Sequence, residues 1–185
     1  MGGVVIRHDE EDVGPLHATG LGSDRSREEQ DRYAVLSQQR WALANEMGFF
    51  EDELISVDVP QRKGDPVTVD TDEHPRPDTT LEKLAKLRPA FSSEDDATVT
   101  AGNSSGVNDG AAALLLMEAG AAEQAGLEPL ALVGPHAAAG VDPSIMGTGP
   151  VSASRAVLDR AGRSIDEVDL VELNEAFAAQ SIACI

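Results

Sequence analysis

Asn174 stands between two stretches of opposite character. Before it, Val168, Leu170, Val171 and Leu173 make a β-like run, and after it Ala176 to Gln180 is Ala-rich and helix-prone. Asn is favoured at helix N-caps, so the spacing predicts an N-cap here. It also places the side chain at the carboxyl end of a strand, the edge where open α/β sheets bind ligands. A second candidate is Ala101-Gly102-Asn103-Ser104-Ser105-Gly106, whose small residues allow close backbone approach to a thin ligand. It lacks the Gly-Lys-Ser/Thr of a phosphate-binding P-loop and does not fit the dinucleotide fingerprint. Cys184 is the single cysteine and lies in the apolar tail Ser181–Ile185, where it reads as a small buried hydrophobe. His8, His17, His74 and His136 show no metal-ligand spacing, and Glu94-Asp95-Asp96 reads as a solvated loop, so no metal is expected.

These residues sit in a chain of 185 with 41% hydrophobic and 25% charged residues, the balance of a globular protein. Aromatics are only 3%, so a core must come from Ala, Val, Leu and Ile. The net charge of −19, from 33 acidic and 14 basic residues, repels phosphate backbones and anionic membranes as general partners. It leaves room for one anionic ligand at a local basic spot. The lysines are three (Lys63, Lys83, Lys86), a bias that a salt-rich habitat or codon usage would produce equally. One cysteine excludes an internal disulfide framework and fits a reducing cytoplasm. No apolar run reaches the roughly 18 residues needed to span a bilayer.

The elements that must position the candidates follow from periodicity and caps. Ser26 to Glu29 forms a capping box for a helix to about Met47, with Tyr33, Leu36, Leu43 and Met47 on one face and Gly48 as its stop. Ile55, Val57 and Val59 alternate with polar residues as a strand, and Val67-Thr68-Val69 is its hairpin partner. Thr79 with Glu82 is a second capping box, opening a helix with Leu81, Leu84 and Leu87 on its apolar face. Thr98-Val99-Thr100 is a short strand. Ala111 to Met117 is ambiguous between helix and strand by pattern, and its length, joined to the residues up to about Ala125, favours helix. Ala131-Leu132-Val133 is the next strand, and Pro150 opens a helix that Gly162 ends. Helices alternating with strands argue for a layered α/β core. Residues 1–25 show no sustained period and are expected to be disordered.

Four blocks carry a resemblance: Gln61-Arg62-Lys63-Gly64-Asp65-Pro66, Val99 to Ala111, Met146-Gly147-Thr148-Gly149-Pro150 and Asn174-Glu175-Ala176-Phe177-Ala178. In this order they resemble the thiolases, the acetyl-CoA acetyltransferases and 3-ketoacyl-CoA thiolases. The resemblance implies a thiolase-like layered α/β fold, present in part. Residues 1–25 are a divergent N-terminus, 26–97 the substrate-binding loop region and 98–185 the first half of the C-terminal thiolase domain. It covers the middle of the family's length and implies an internal fragment.

Thiolase chemistry makes or breaks a carbon–carbon bond between acyl-CoA units, with one cysteine thiolate carrying the acyl group and another moving the α-proton. By resemblance Asn174 is a catalytic residue that supports the thioester oxygen through an ordered water. Ala101, Gly102 and Ser105 then line the pantetheine arm, Arg76 lies near the adenine and phosphate end, Phe91 packs on pantetheine, and Met146 and Phe177 line the acyl pocket. Without the family, Arg76 reads equally as a solvated loop charge and the three apolar residues as core. The nucleophilic cysteine and the His-Pro-x-Gly segment have no match in this sequence, and Cys184 matches neither family cysteine. The resemblance implies CoA and acyl-CoA as substrates and partners, no cofactor or metal, no nucleic acid or membrane, and a homodimer or homotetramer in intact members. The alternative is a non-catalytic CoA- or acyl-CoA-binding or dimerisation module.

Overall fold

The computed structural model describes residues 4–7, 26–94 and 96–185. The elements are β1 (Val4–Arg7), α1 (Arg27–Glu46), β2 (Val57–Val59), β3 (Val67–Val69), α2 (Leu81–Leu84), α3 (Ala119–Gln124), α4 (Gly149–Ala161), β4 (Leu170–Leu173) and α5 (Ala178–Cys184). Two compact units share them. One holds β1, residues 107–174 and Cys184, and the other holds residues 26–106, 175–183 and Ile185.

In the second unit α1 runs for 20 residues. Ser26 caps it, its hydroxyl accepting from the Glu29 N–H at 3.3 Å. The return arm of the expected capping box does not form, because the Glu29 carboxylate is buried without a partner among the described residues. Gly48 takes φ 77° as the stop, as its position predicts. The buried face of α1 differs from the expectation. Leu43 and Met47 are exposed, whereas Glu29, Gln30 and Asp31 are buried. That polar face is tolerated because two of its side chains bond to a distant loop, Gln30 to Thr98 and Asp31 to Asn103. β2 and β3 form the expected antiparallel hairpin, pairing Val57 with Val69 and Val59 with Val67. The second N-cap is one residue later than expected. Thr80 accepts from the Lys83 N–H at 3.3 Å, while the Thr79 hydroxyl is spent on the Arg76 carbonyl at 2.7 Å.

The expected strand at Thr98–Thr100 reduces to a single bridge between Pro89 and Thr100. Pro89 has no N–H to extend a ladder, and the Thr100 N–H goes to the Asn103 side chain at 2.7 Å.

In the first unit β1 pairs antiparallel with β4, Val4 opposite Leu173 and Arg7 opposite Leu170. Apart from that strand, the expectations for residues 1–25, including His8 and His17, lie outside the described residues. The expected helix from Ala111 is confined to Ala119–Gln124, capped by the Glu118 carboxylate on the Ala121 N–H at 3.0 Å. A helix apolar on every side must be buried, and here Leu114, Leu115 and Leu116 are exposed. Residues 131–133 are not assigned to a strand, and no ladder partner accompanies them. Among the described residues the buried apolar side chains are Leu84, Ala122 and Ala178.

α4 begins with Pro150 in its first turn and ends at Gly162, as the sequence predicts. Gly162 adopts φ 62°, and the Arg163 N–H returns to the Leu158 carbonyl at 3.1 Å. A Cβ built on Gly162 meets nothing within 4 Å, so the cost of adding one is confined to the backbone. Gly162→Ala is therefore expected to destabilise by about 1–2 kcal/mol, the penalty of a left-handed non-glycine residue. An unchanged urea midpoint in that variant would refute this account of the helix stop.

Candidate functional site

The candidate site is built where two loops of the second unit meet beside α1. The first loop is Thr100 to Ser105. Asn103 is its centre, 3% exposed. Its Oδ1 accepts from the Thr100 N–H, and its Nδ2 donates to Asp31 Oδ1 at 3.0 Å and to the Thr98 carbonyl at 3.1 Å. Every valence of the amide except one lone pair is used, so its orientation follows from its partners. Asp31 is held in turn by Arg27 Nε on Oδ2 at 2.8 Å, and Arg27 reaches on to the Leu84 carbonyl at 2.6 Å. Ser104 donates to the Thr100 carbonyl at 2.6 Å. Gly102 faces Leu84 and Leu87, and an added Cβ would stand 2.6 Å from Leu87 Cδ1, so no larger residue fits without movement.

The second loop is Glu175 to Ala178. It pairs with the first: the Ser105 N–H donates to the Ala176 carbonyl, and the Ala178 N–H donates to the Asn103 carbonyl, both at 2.9 Å. Ser104 and Phe177 form the bridge between them. This pairing corrects the reading of Asn174 as an N-cap. Helix α5 starts at Ala178, and its first N–H is capped by a backbone carbonyl across the loop. Glu175 is tied to α1, its Oε1 accepting from the Tyr33 hydroxyl and its Oε2 from the Ser37 hydroxyl, each at 2.6 Å. Burial first, then the hydrogen bond and charge of Glu175, push the Tyr33 phenol far above its ordinary value, with Ser181 and Arg40 opposing. Burial pulls the Arg40 guanidinium down, against the charges of Tyr33 and Glu175.

The structure places the candidate residues unequally. Phe91 and Phe177 come together edge to face, ring centres 5.8 Å apart at 88°. With Ser92, Ala97, Thr98 and Val99 they line a cavity of about 210 Å³. Phe91 is 73% exposed, so it is not core. Ala101 and Ser105 are exposed on the first loop, and Gly102 is half-buried behind it. Arg76 is exposed, and its Nη1 closes its own loop by donating to the carbonyls of Glu73, His74 and Pro75 at 2.7–3.0 Å. Asn174 and Met146 belong to the other unit, both exposed. There Cys184 Sγ donates to the Gly147 carbonyl at 3.3 Å and Arg160 donates to the His136 carbonyl at 2.5 Å. Among the described residues no group of His, Cys, Asp or Glu is arranged to hold a metal, and no helix is long and apolar enough to cross a membrane.

Sequence reasoning missed Asp31, Tyr33, Ser37 and Glu175 as parts of this site, and it named Asn103 only as a member of the small-residue loop. Tyr33 and Ser37 are four apart on a helix and share a face, a signal available in the sequence. Which carboxylate they meet, 142 and 138 residues away, is not written locally.

Comparison with known proteins decides the family. The thiolase N-terminal domain model matches residues 21–120 and the thiolase C-terminal domain model matches residues 127–185. The chain belongs to the thiolase family. It is similar to the acetyl-CoA acetyltransferase of Pseudomonas aeruginosa, 58% identical over 158 residues, which are 85% of this chain and 40% of that protein. It is also similar to the β-ketoadipyl-CoA thiolase of the same organism, 56% identical over 86% of this chain and 39% of that protein. The crystal structure of the Bacillus anthracis acetyl-CoA acetyltransferase superposes with a TM-score of 0.79 at 44% identity, covering 92% of this chain and 45% of that one. Human mitochondrial 3-ketoacyl-CoA thiolase in complex with CoA superposes at 0.75 and 48% identity, covering 90% of this chain and 41% of that one. The fold is thus the thiolase α/β fold in part, and the chain spans about 40% of the length of the curated relatives it matches.

Asn103→Ala would leave the Thr100 N–H and one Asp31 oxygen without their buried partner. It is expected to cost about 1–3 kcal/mol. Exposed Asn45→Ala should stay within about 0.5 kcal/mol. Equal urea midpoints for the two variants would contradict the central place given to Asn103.

Proposed function

We propose that this chain carries the CoA-contacting part of a thiolase-type acyl-CoA acyltransferase. The supporting observation is the edge-to-face pair of Phe91 and Phe177 over a cavity of about 210 Å³, with Phe177 carried on the loop that pairs with Ser105. That space suits a thin chain such as pantetheine rather than a whole nucleotide, since pockets for drug-sized ligands run to about 300–1,000 Å³. CoA is a substrate here, not a resident cofactor. Ala101 and Gly102 present backbone to the pantetheine arm, and Arg76 supplies a local positive charge for the phosphates on a strongly acidic chain. Phe177 lines the acyl group. Residues 26–97 act as the substrate-binding loop region.

Asn174 stands after β4 and is exposed, which suits a residue that helps to stabilise charge developing on a thioester oxygen. The reaction is thiolytic cleavage of a 3-ketoacyl-CoA or its reverse, the Claisen condensation. It belongs to fatty acid metabolism in the cytoplasm and is carried out by a homodimer or homotetramer. A second reading is a non-catalytic CoA- or acyl-CoA-binding or dimerisation module, favoured by the loops bringing together residues read as contacting CoA while Asn174 stands outside that unit. Thiolysis of acetoacetyl-CoA separates the two, because turnover by this chain alone counts against the module.

Two variants test the residues. Phe91→Ala is expected to weaken CoA binding by about ten-fold in calorimetric titration, roughly 1.4 kcal/mol. Within a complete enzyme containing this segment, Asn174→Ala is expected to lower kcat by ~10²–10³. Unchanged turnover there would sink the role given to Asn174.

A further inference from the structure

The carboxylate of Glu175 has an unusual setting for an acidic side chain in a candidate site. Each of its oxygens accepts from a neutral hydroxyl at 2.6 Å, Oε1 from Tyr33 and Oε2 from Ser37. Both donors stand on α1, one turn apart, so the helix grips the carboxylate at two points and fixes its plane. Both oxygens of the carboxylate are thus engaged by the helix.

What the grip holds is the backbone that follows. The next residue, Ala176, offers its carbonyl to the Ser105 N–H, and Ala178 donates to the Asn103 carbonyl. Phe177 lies between them, bridged to Ser104, with its ring against Phe91. The same helix holds the other side of this bridge through Asp31 and Asn103. Both loops are therefore referenced to one rigid element.

We propose that Glu175 is a positioning residue: clamped by Tyr33 and Ser37, it sets the Ala176–Ala178 backbone against the Thr100–Ser105 loop and so fixes where Ser105 and Phe177 stand. Its functional half rests on the reading of those two residues as CoA-contacting. Its structural half does not.

The test uses the full 185-residue chain and two readouts, amide hydrogen exchange and calorimetric titration with CoA. Glu175→Ala is expected to speed exchange at the Ser105 and Ala178 amides by about ten-fold or more while leaving the Val157 and Leu158 amides of α4 unchanged. Glu175→Gln is expected to restore most of the protection, because its amide can accept from Tyr33 and donate to Ser37. CoA affinity should fall about ten-fold in Glu175→Ala and recover in Glu175→Gln. Should Glu175→Ala not fold, Ser37→Ala removes one of the two donors with the smallest change in shape and should show the same local pattern more weakly.

Exchange that is unchanged at Ser105 and Ala178, or that rises equally in α4, overturns the proposal. A local rise with no recovery in Glu175→Gln overturns the hydroxyl clamp as its cause. A local rise with equal CoA affinity in Glu175→Ala and the unsubstituted chain overturns the link to binding. The expected exchange pattern in a chain that takes up no CoA supports the positioning role and instead removes the CoA reading.

Discussion

The hydrogen bond from Asn103 Nδ2 to Asp31 Oδ1 is the interaction on which the site depends. It joins a loop to a helix 72 positions earlier in the chain, and both residues are 3% exposed. A buried carboxylate is costly unless its oxygens are occupied, and here Arg27 and Asn103 take one each. A buried amide is costly for the same reason, and Thr98, Thr100 and Asp31 together satisfy it. Each group removes the desolvation penalty of the next, so the cluster is stable only as a whole. The Thr100–Ser105 backbone therefore has one low-energy arrangement relative to α1.

This is an inversion of the usual division of labour. Apolar burial has no direction and tolerates sliding, whereas hydrogen bonds fix angles. Among the described residues three apolar side chains are buried, while Gln30, Asp31, Thr100, Asn103 and Ser181 are at most 3% exposed. Order around the loops is thus carried by directional polar contacts, with Leu84 and Leu87 closing behind Gly102.

Local features were legible in the sequence and partner choice was not. The capping serine at Ser26, the glycine stops at Gly48 and Gly162, the Val57–Val69 hairpin and the strand ending at Leu173 all follow from turn chemistry and period. Asn174 misled because its cap preference is real, yet the first N–H of α5 is taken by the Asn103 carbonyl, a long-range acceptor no local rule could supply. Leu43 and Met47 misled because a helix pattern says which residues share a face, not which face is covered. Ala111 to Met117 has no period at all, so its fate rested on neighbours rather than on itself. The aromatic pair was legible only as two alternatives, and the meeting of Phe91 with Phe177, far apart in the chain, was not written locally.

The spacing of Tyr33 and Ser37 has a consequence for how α1 can vary over evolutionary time. Each helical residue advances the side-chain direction by about 100°. One residue inserted between them would swing Ser37 away from Glu175, and one inserted between Asp31 and Tyr33 would part the two loop attachments. Substitutions on the outward face of α1, at Arg32 or Gln39, leave every one of these directions intact. The helix is therefore free to drift in composition while its count of residues from Arg27 to Ser37 is frozen, a constraint on length rather than on letters.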